Sequence, residues 1–165
     1  MIAEIEREMV AMLATALPGL HVEAFPDKPD AYRMSHPHGA VLVGYSGSRM
    51  PDPSVLAGTQ QKRRLEYQLV VKVRSLRDHT GAYAVLETIR TVLAGKPLRG
   101  ARFYPAREQF EDVSSGVWTY LAVYAADVPW VSQVQHPDDV AAALATAKIT
   151  AMGGLEGDPP IMVGG

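Results

Sequence analysis

The sequence predicts an α+β domain in which two helices pack on a mainly antiparallel sheet. Three observations predict it. Two segments carry apolar residues at helical spacing, one long segment alternates apolar and polar residues, and two strand-like segments are joined by a turn. The predicted order is α-β-β-β-α-β-β, within a single domain at residues 1–130. Residues 131–165 are expected to form a C-terminal extension with a short helix and a flexible Gly/Pro-rich tail.

Both predicted helices have recognisable ends. The first is followed by Pro18-Gly19, which stops it, and its apolar stripe comprises Ile2, Ile5, Met9, Met12, Leu13 and Ala16. The second covers residues 78–95, where Asp78 or Thr80 can cap the start and Gly95 the end. Its predicted stripe comprises Tyr83, Leu86, Ile89 and Leu93.

Five segments have the pattern of strands: 21–25, 39–48, 63–74, 101–110 and 116–128. The third alternates most clearly, with Leu65, Tyr67, Leu69, Val71 and Val73 on one face and mostly polar residues on the other. A long loop is predicted at 47–60 and a hairpin turn at 111–116. The last strand is apolar on both faces, which is typical of a central strand covered twice. Two helices are too few to cover both faces of the sheet, so a partner subunit is a candidate to cover the rest of the second face.

Composition limits the class of protein. The chain has 165 residues, of which 47% are hydrophobic and 21% charged, as in a globular protein with its own core. The absence of cysteine excludes disulfides and thiolate chemistry. A formal net charge of -2 argues against a strongly basic nucleic-acid binder. The first residues are acidic where a secretory signal would be basic, so we predict no signal peptide.

One pattern suggests an enzyme. Metal-dependent nucleases place a Pro-Asp pair and a Glu-x-Lys motif on adjacent strands, where two carboxylates hold Mg²⁺ and the lysine helps to activate water. Here Asp52 follows a proline and Glu66 comes later, but Gln68 stands at the lysine position and only Lys72 shares that face. A turn aspartate and a solvated glutamate are therefore the favoured interpretation.

Other site patterns are weaker. His36 and His38 have a spacing suited to a metal, but Pro37 lies between them. The favoured interpretation is that both are polar residues of a loop. There is no nucleophile elbow, phosphate-binding loop or dinucleotide fingerprint. We therefore expect no catalytic residue, no bound metal and no cofactor.

The strongest basic run is Lys62, Arg63 and Arg64. Three explanations stay open for it. It is the solvated start of a strand, or it meets acids of a neighbouring subunit such as Glu108 or Glu111, or it faces DNA phosphates.

Aromatic and apolar residues supply further interface candidates. Trp118, Tyr120 and Tyr124 in the last strand are expected in the core or at an interface rather than in a base-stacking platform. In the tail, Ile161 and Met162 are apolar enough to dock on a neighbouring molecule.

Several segments together resemble a known family. The sequence is similar to small proteins encoded in the tail-gene cluster of Mu-like phages and prophages, over roughly residues 1–130. The likeness lies along the chain rather than in a single motif. The segments that carry it are MIAEIE, FPDKPDAYRMSHPHGAVLVGYSGSRM, RRLEYQLVVKVRSLRDHTGAYAVLETIR and GVWTYLAVYAADVP.

The resemblance implies a tail terminator, also called a tail completion protein. Such a protein forms a ring, usually a hexamer, at the head-proximal end of the tail tube, where it stops tube polymerisation and joins the tail to the head connector. The implied partners are further copies of the chain, the tube protein and the connector protein, with the sheath protein as an optional partner. The genome would pass through the channel without specific binding.

The resemblance also implies a location and leaves alternatives. The protein would lie in the tail or neck of the virion after assembly in the host cytoplasm. The loop at 47–60 would point into the channel or onto the tube. The alternatives are another neck or tail adaptor protein and, from a different class, the metal-dependent nuclease.

Overall fold

A computed structural model describes residues 1–28, 32–51 and 60–131, and it confirms the predicted α+β class and element order. Two helices, α1 (Ile2–Ala16) and α2 (Ala82–Leu93), accompany a five-stranded sheet. The sheet strands are β1 (His21–Ala24), β2 (Gly39–Arg49), β3 (Gln60–Val73), β6 (Tyr104–Ser114) and β7 (Val117–Val131). A two-stranded ribbon that the sequence did not predict, β4 (Pro97–Leu98) with β5 (Ala101–Arg102), precedes β6.

The sheet has the order β1-β2-β3-β7-β6 and is mixed. β2 pairs antiparallel with β3, β6 pairs antiparallel with β7, and the short β1 pairs parallel with β2. β7 therefore lies inside the sheet, as its two apolar faces predicted, while β6 is an edge strand. Neither described helix is long and apolar enough to cross a membrane.

Both helices contribute to one hydrophobic core on one face of the sheet. α1 buries Ile5, Met9 and Leu13. The predicted apolar face of β3 is fully buried, from Leu65 to Val73 at every second residue. α2 buries Ala82, Val85, Leu86, Ile89 and Leu93. The prediction for Tyr83 was wrong: it is 49% exposed, because α2 begins at Ala82 and turns that residue away from the sheet.

The helix ends follow local chemistry. α1 ends at Ala16 immediately before the predicted Pro18-Gly19 stop. Beyond α2, Gly95 has the predicted left-handed conformation, with a φ of 75°, but it does not cap the helix. Its N–H donates to the Phe103 carbonyl over 2.7 Å, and the cap residue is Ala94, whose N–H donates to the Arg90 carbonyl over 3.0 Å. The side chain of Asp78 instead stabilises the preceding turn, by accepting the Thr80 N–H over 2.9 Å.

Two predicted connections are shorter than expected. β2 continues to Arg49, so Gly47 and Ser48, where the predicted strand and the predicted loop overlap, belong to the strand. Most of that loop, residues 52–59, lies outside the described residues, as does the predicted C-terminal helix. The hairpin turn is only Ser115–Gly116, whose φ values of 50° and 72° suit a two-residue hairpin loop.

The second face of the sheet is partly covered by the chain that connects β1 to β2. The Phe25 N–H donates to the Val43 carbonyl over 2.7 Å. The Phe25 ring then lies against Gly44, where an added Cβ would come within 3.1 Å of the Phe25 Cβ. The helices therefore cover one face, and the other face is left for this connection and for the polar side chains of β3.

Candidate functional site

The β6–β7 hairpin carries an apolar surface that the core does not absorb. Phe110 pairs with Tyr120 and Val113 with Trp118 across the two strands. The Phe110 and Tyr120 rings meet edge to face at 5.6 Å, and Phe110 and Trp118 lie 6.1 Å apart. Phe110 is 50% exposed and Val113 47% exposed, while Trp118 and Tyr120 are partly buried. We call these four residues the aromatic hairpin surface.

Tyr124 was predicted, together with Trp118 and Tyr120, to lie either in the core or at an interface. It lies in the core. Its side chain is fully buried. Its hydroxyl makes no hydrogen bond within the described part of the chain. Burial, followed by the negative charge of Glu108, raises the pKa of Tyr124 to about 12.

The two glutamates predicted as interface acids differ in their surroundings. Glu108 accepts a hydrogen bond of 2.6 Å from Arg90 of α2, which also binds Glu87 at 2.6 Å. The hydrogen bonds that Arg90 donates to Glu87 and to Glu108 raise the pKa of Arg90. Glu111 is exposed and accepts a hydrogen bond from Gln109. Glu108 is thus occupied within its own chain, whereas Glu111 is presented outward.

The basic run is divided between the two faces of β3. Arg63 shares the face of Leu65 and donates to the Ser48 hydroxyl over 3.2 Å and to the Tyr45 hydroxyl over 3.3 Å. Lys62 is exposed, and Arg64 lies on the opposite face from Arg63. The three residues therefore do not form one continuous patch.

Arg64 is part of an open cavity of about 310 Å³ on the second face of the sheet. The Nε of Arg64 lies 3.3 Å from Oε1 of Glu66, and the Nε of Arg49 lies 3.5 Å from the same oxygen. Arg107 of β6 completes the charged lining. We call Arg49, Arg64, Glu66 and Arg107 the arginine pocket. The full lining is Ser46, Arg49, Arg64, Glu66, Gln68, Ala106, Arg107 and Val123.

This geometry bears on the nuclease hypothesis. The Glu66 carboxylate is flanked by two guanidinium groups, which would compete with a divalent cation for it. Gln68 lines the same cavity without supplying a lysine amine. Asp52, the other predicted carboxylate, lies outside the described residues. In the described ranges, no group of three or more His, Asp or Glu side chains is arranged to hold a metal ion.

The remaining predicted residues add little to either surface. His36 Nδ1 accepts the His38 N–H over 3.4 Å, and the two rings lie 6.1 Å apart in a surface loop. Ile161 and Met162 lie outside the described residues, so their predicted docking stays a prediction.

Sequence reasoning missed Arg49, Arg90 and Arg107. Arg49 pairs with Arg64 across β2 and β3, but that register follows only once β2 is known to continue beyond Ser48. Arg107 is brought opposite Val123 by a bulge after Pro105, which sequence alternation does not reveal. Arg90 could have been found, because an arginine three residues after Glu87 in a helix is a common pairing.

Comparisons with known proteins identify the family. No curated protein shows significant similarity to the chain. Among solved structures, a chain from a structure described as the virion of a native gene transfer agent particle is 18% identical. The match covers 78% of this chain and 93% of that chain, with a TM-score of 0.48. The model of the Gp37 protein family matches residues 9–147, and the chain therefore belongs to the Gp37 protein family.

Proposed function

We propose that this chain is a structural protein of a phage-type virion. In this role it forms a ring at the head-proximal end of a tail, stops polymerisation of the tail tube and joins the tail to the head connector. Membership of the Gp37 protein family and the resemblance to tail-cluster proteins support a virion role. The aromatic hairpin surface is the observation that supports assembly most directly.

The aromatic hairpin surface has the composition of an assembly contact. Aromatic residues are enriched at protein interfaces and contribute much of the binding free energy there. Phe110 and Val113 are about half exposed, so covering them would contribute on the order of 1 kcal/mol each. They also lie on an edge strand, which proteins commonly cover or protect.

A ring needs two different surfaces on each copy, because one face of a subunit meets another face of the next. The hairpin is one such surface, and it lies at the edge of the sheet away from β1. The partners proposed are further copies of the chain, as a hexamer, together with the tube protein and the connector protein. A net charge of -2 suits a channel that passes DNA without holding it.

Tube assembly provides the test. The tail tube protein encoded by the same genome is polymerised with and without this chain, and tube lengths and tube ends are measured by negative-stain electron microscopy. We expect shorter tubes whose ends carry a ring. The double variant Phe110→Ser/Val113→Ser should lose ring formation and end capping. Gln109→Ser, an exposed change on the same strand, is the matched control and should retain both.

Two outcomes would overturn the terminator role. Rings that bind the connector protein but leave tube length unchanged would favour a neck or tail adaptor instead. Cleavage of DNA in the presence of Mg²⁺, lost in Glu66→Ala, would establish the nuclease. Binding of the connector to ring-coated tube ends is the result that supports the joining role.

A further inference from the structure

We infer that the arginine pocket binds the carboxylate of Glu111 from a second copy of the chain. The inference rests on the proposed ring and deepens it, because it names a contact by which one copy would meet the next. Contacts between the pocket of one copy and the hairpin of another are head to tail, so they can repeat around a ring.

The charge of the pocket calls for an anion. Arg49, Arg64 and Arg107 place three positive charges around one carboxylate, that of Glu66. Glu66 is only 18% exposed and already faces two of the guanidinium groups. Arg107 makes no hydrogen bond or ion pair with any residue that the structure describes. Among the residues that the structure describes, the pocket therefore has more positive charge than Glu66 balances.

Arg64 lies close to Glu66 but does not donate a hydrogen bond to it. Its Nε is buried, and although it lies 3.3 Å from Glu66 Oε1, the angle does not make a hydrogen bond. The guanidinium is held over the Tyr104 ring, 5.5 Å from its centroid. The buried Nε is closed to an incoming group, but the Arg64 side chain as a whole is 40% exposed, so a carboxylate from outside can approach the rest of the guanidinium.

Glu111 is an exposed acid of the hairpin that a neighbouring copy can present. The pairing of β6 with β7 shifts between Phe110 and Asp112, so Glu111 is the extra residue of a β-bulge. It is exposed, and it makes no ion pair with any residue in the described ranges. Glu111 and Arg107 lie four residues apart on the same strand, about 13 Å at 3.3 Å per residue, and the two side chains do not pair within the described chain. We therefore assign the contact to Glu111 of a neighbouring copy.

The pocket fits one carboxylate better than a DNA backbone. Its volume is about 310 Å³, which is room for an inserted side chain but not for a duplex. Glu66 contributes a negative charge to its lining, which would repel a row of phosphates. Arginine forks bind a single carboxylate through paired hydrogen bonds, which suits a side chain inserted from a neighbouring protein.

Zero-length cross-linking tests the contact. Arg107→Lys keeps the positive charge and supplies an amine. A carbodiimide can join that amine to the Glu111 carboxylate where the two side chains touch. Mixing ¹⁵N-labelled and unlabelled copies identifies links between chains by mass spectrometry. We expect a mixed-isotope link between positions 107 and 111 that disappears in Glu111→Gln. Arg7→Lys, an exposed position on α1, is the matched control and should give no link to Glu111.

Charge reversal gives a second measurement, made without the Arg107→Lys change. Arg107→Glu and Glu111→Arg should each weaken self-association about 10-fold, and the two together should restore it. Oligomers without the link, a chain that stays monomeric at every concentration, or reversal without restoration would each overturn the inference. Salt-sensitive binding of a DNA duplex that is lost in Arg107→Glu would overturn it in favour of phosphate binding.

The inference and the proposed function can fail separately. Oligomers that carry the link but leave tail tubes uncapped would uphold the pocket contact and refute the terminator role. Capped tubes whose rings lack the link would uphold the terminator role and refute the contact.

Discussion

Two buried tyrosines allow a direct test of how hydroxyl groups contribute to this core. Tyr67 and Tyr124 are both fully buried, but only one has a hydrogen-bond partner. The Tyr67 hydroxyl donates to the Ile2 carbonyl over 2.9 Å and so ties β3 to the start of α1. The Tyr124 hydroxyl has no partner among the residues that are described. Replacement by phenylalanine removes the same atom from both sites, and we expect effects of opposite sign.

The magnitudes follow from the two environments. Tyr67→Phe loses one hydrogen bond and should lower the free energy of unfolding by about 1 kcal/mol. Tyr124→Phe removes a buried polar group that gains nothing in return, and relief of that desolvation should raise the free energy of unfolding by up to about 1 kcal/mol. Both rings stay in place, so neither change opens a cavity comparable to a truncation.

Urea unfolding measures both effects. With a denaturant slope of roughly 2 kcal/mol per molar, the two midpoints should differ by about 0.5 to 1 M. Tyr124→Phe is the comparison variant for Tyr67→Phe, because it changes the same atom in the same core. A loss of 1 kcal/mol or more in Tyr124→Phe would refute the reasoning, since it would mean that this hydroxyl has a stabilising partner in solution.

Two further predictions concern backbone strain and pH. Gly39 and Gly47 have φ values of 149° and 145°, but an added Cβ at Gly39 would lie 2.3 Å from the Lys72 carbonyl oxygen, whereas at Gly47 it would meet nothing. Gly39→Ala should therefore lower the free energy of unfolding by at least about 2 kcal/mol more than Gly47→Ala in urea titrations, and equal costs would contradict the clash. The raised pKa of Tyr124 means that the unfolded chain loses its proton first, so stability is complete below pH 10 and falls as pH rises toward about 12. Unfolding free energies between pH 9 and 12 should decline by up to about 1.4 kcal/mol per pH unit from this group, and Tyr124→Phe should flatten the decline; an unchanged slope would count against the buried, protonated tyrosine.

The sequence predicted the parts of the fold that depend on local periodicity. Alternation from Leu65 to Val73 placed the buried face of β3 correctly, because every second side chain of a strand shares a face. Helical spacing placed Ile5, Met9 and Leu13 in the core for the equivalent reason. These patterns reside within one element and need no knowledge of what lies beside it.

Features that depend on pairing between distant segments were beyond sequence reasoning. Glu111 and Asp112 were predicted to lie in the hairpin turn. The turn consists of Ser115 and Gly116 alone, and the two acids lie on β6. The arginine pocket needs the register of β2 with β3 and the bulge near Ala106, and neither leaves a periodic signal. The site was therefore predicted in part by residue type, and its geometry was not predicted.

The hairpin presents different chemistry on its two faces. Phe110 and Val113 lie on the face shared with α2, whereas Gln109 and Glu111 form a polar contact of their own on the same strand. A neighbour that covers only the apolar face would be held by hydrophobic contact. Its orientation would be poorly fixed, because the hydrophobic effect is not directional. A carboxylate seated among arginines fixes orientation through paired hydrogen bonds. A single strand that combines both can therefore supply affinity from one face and direction from the other, and direction is the property that a closed ring needs from each contact.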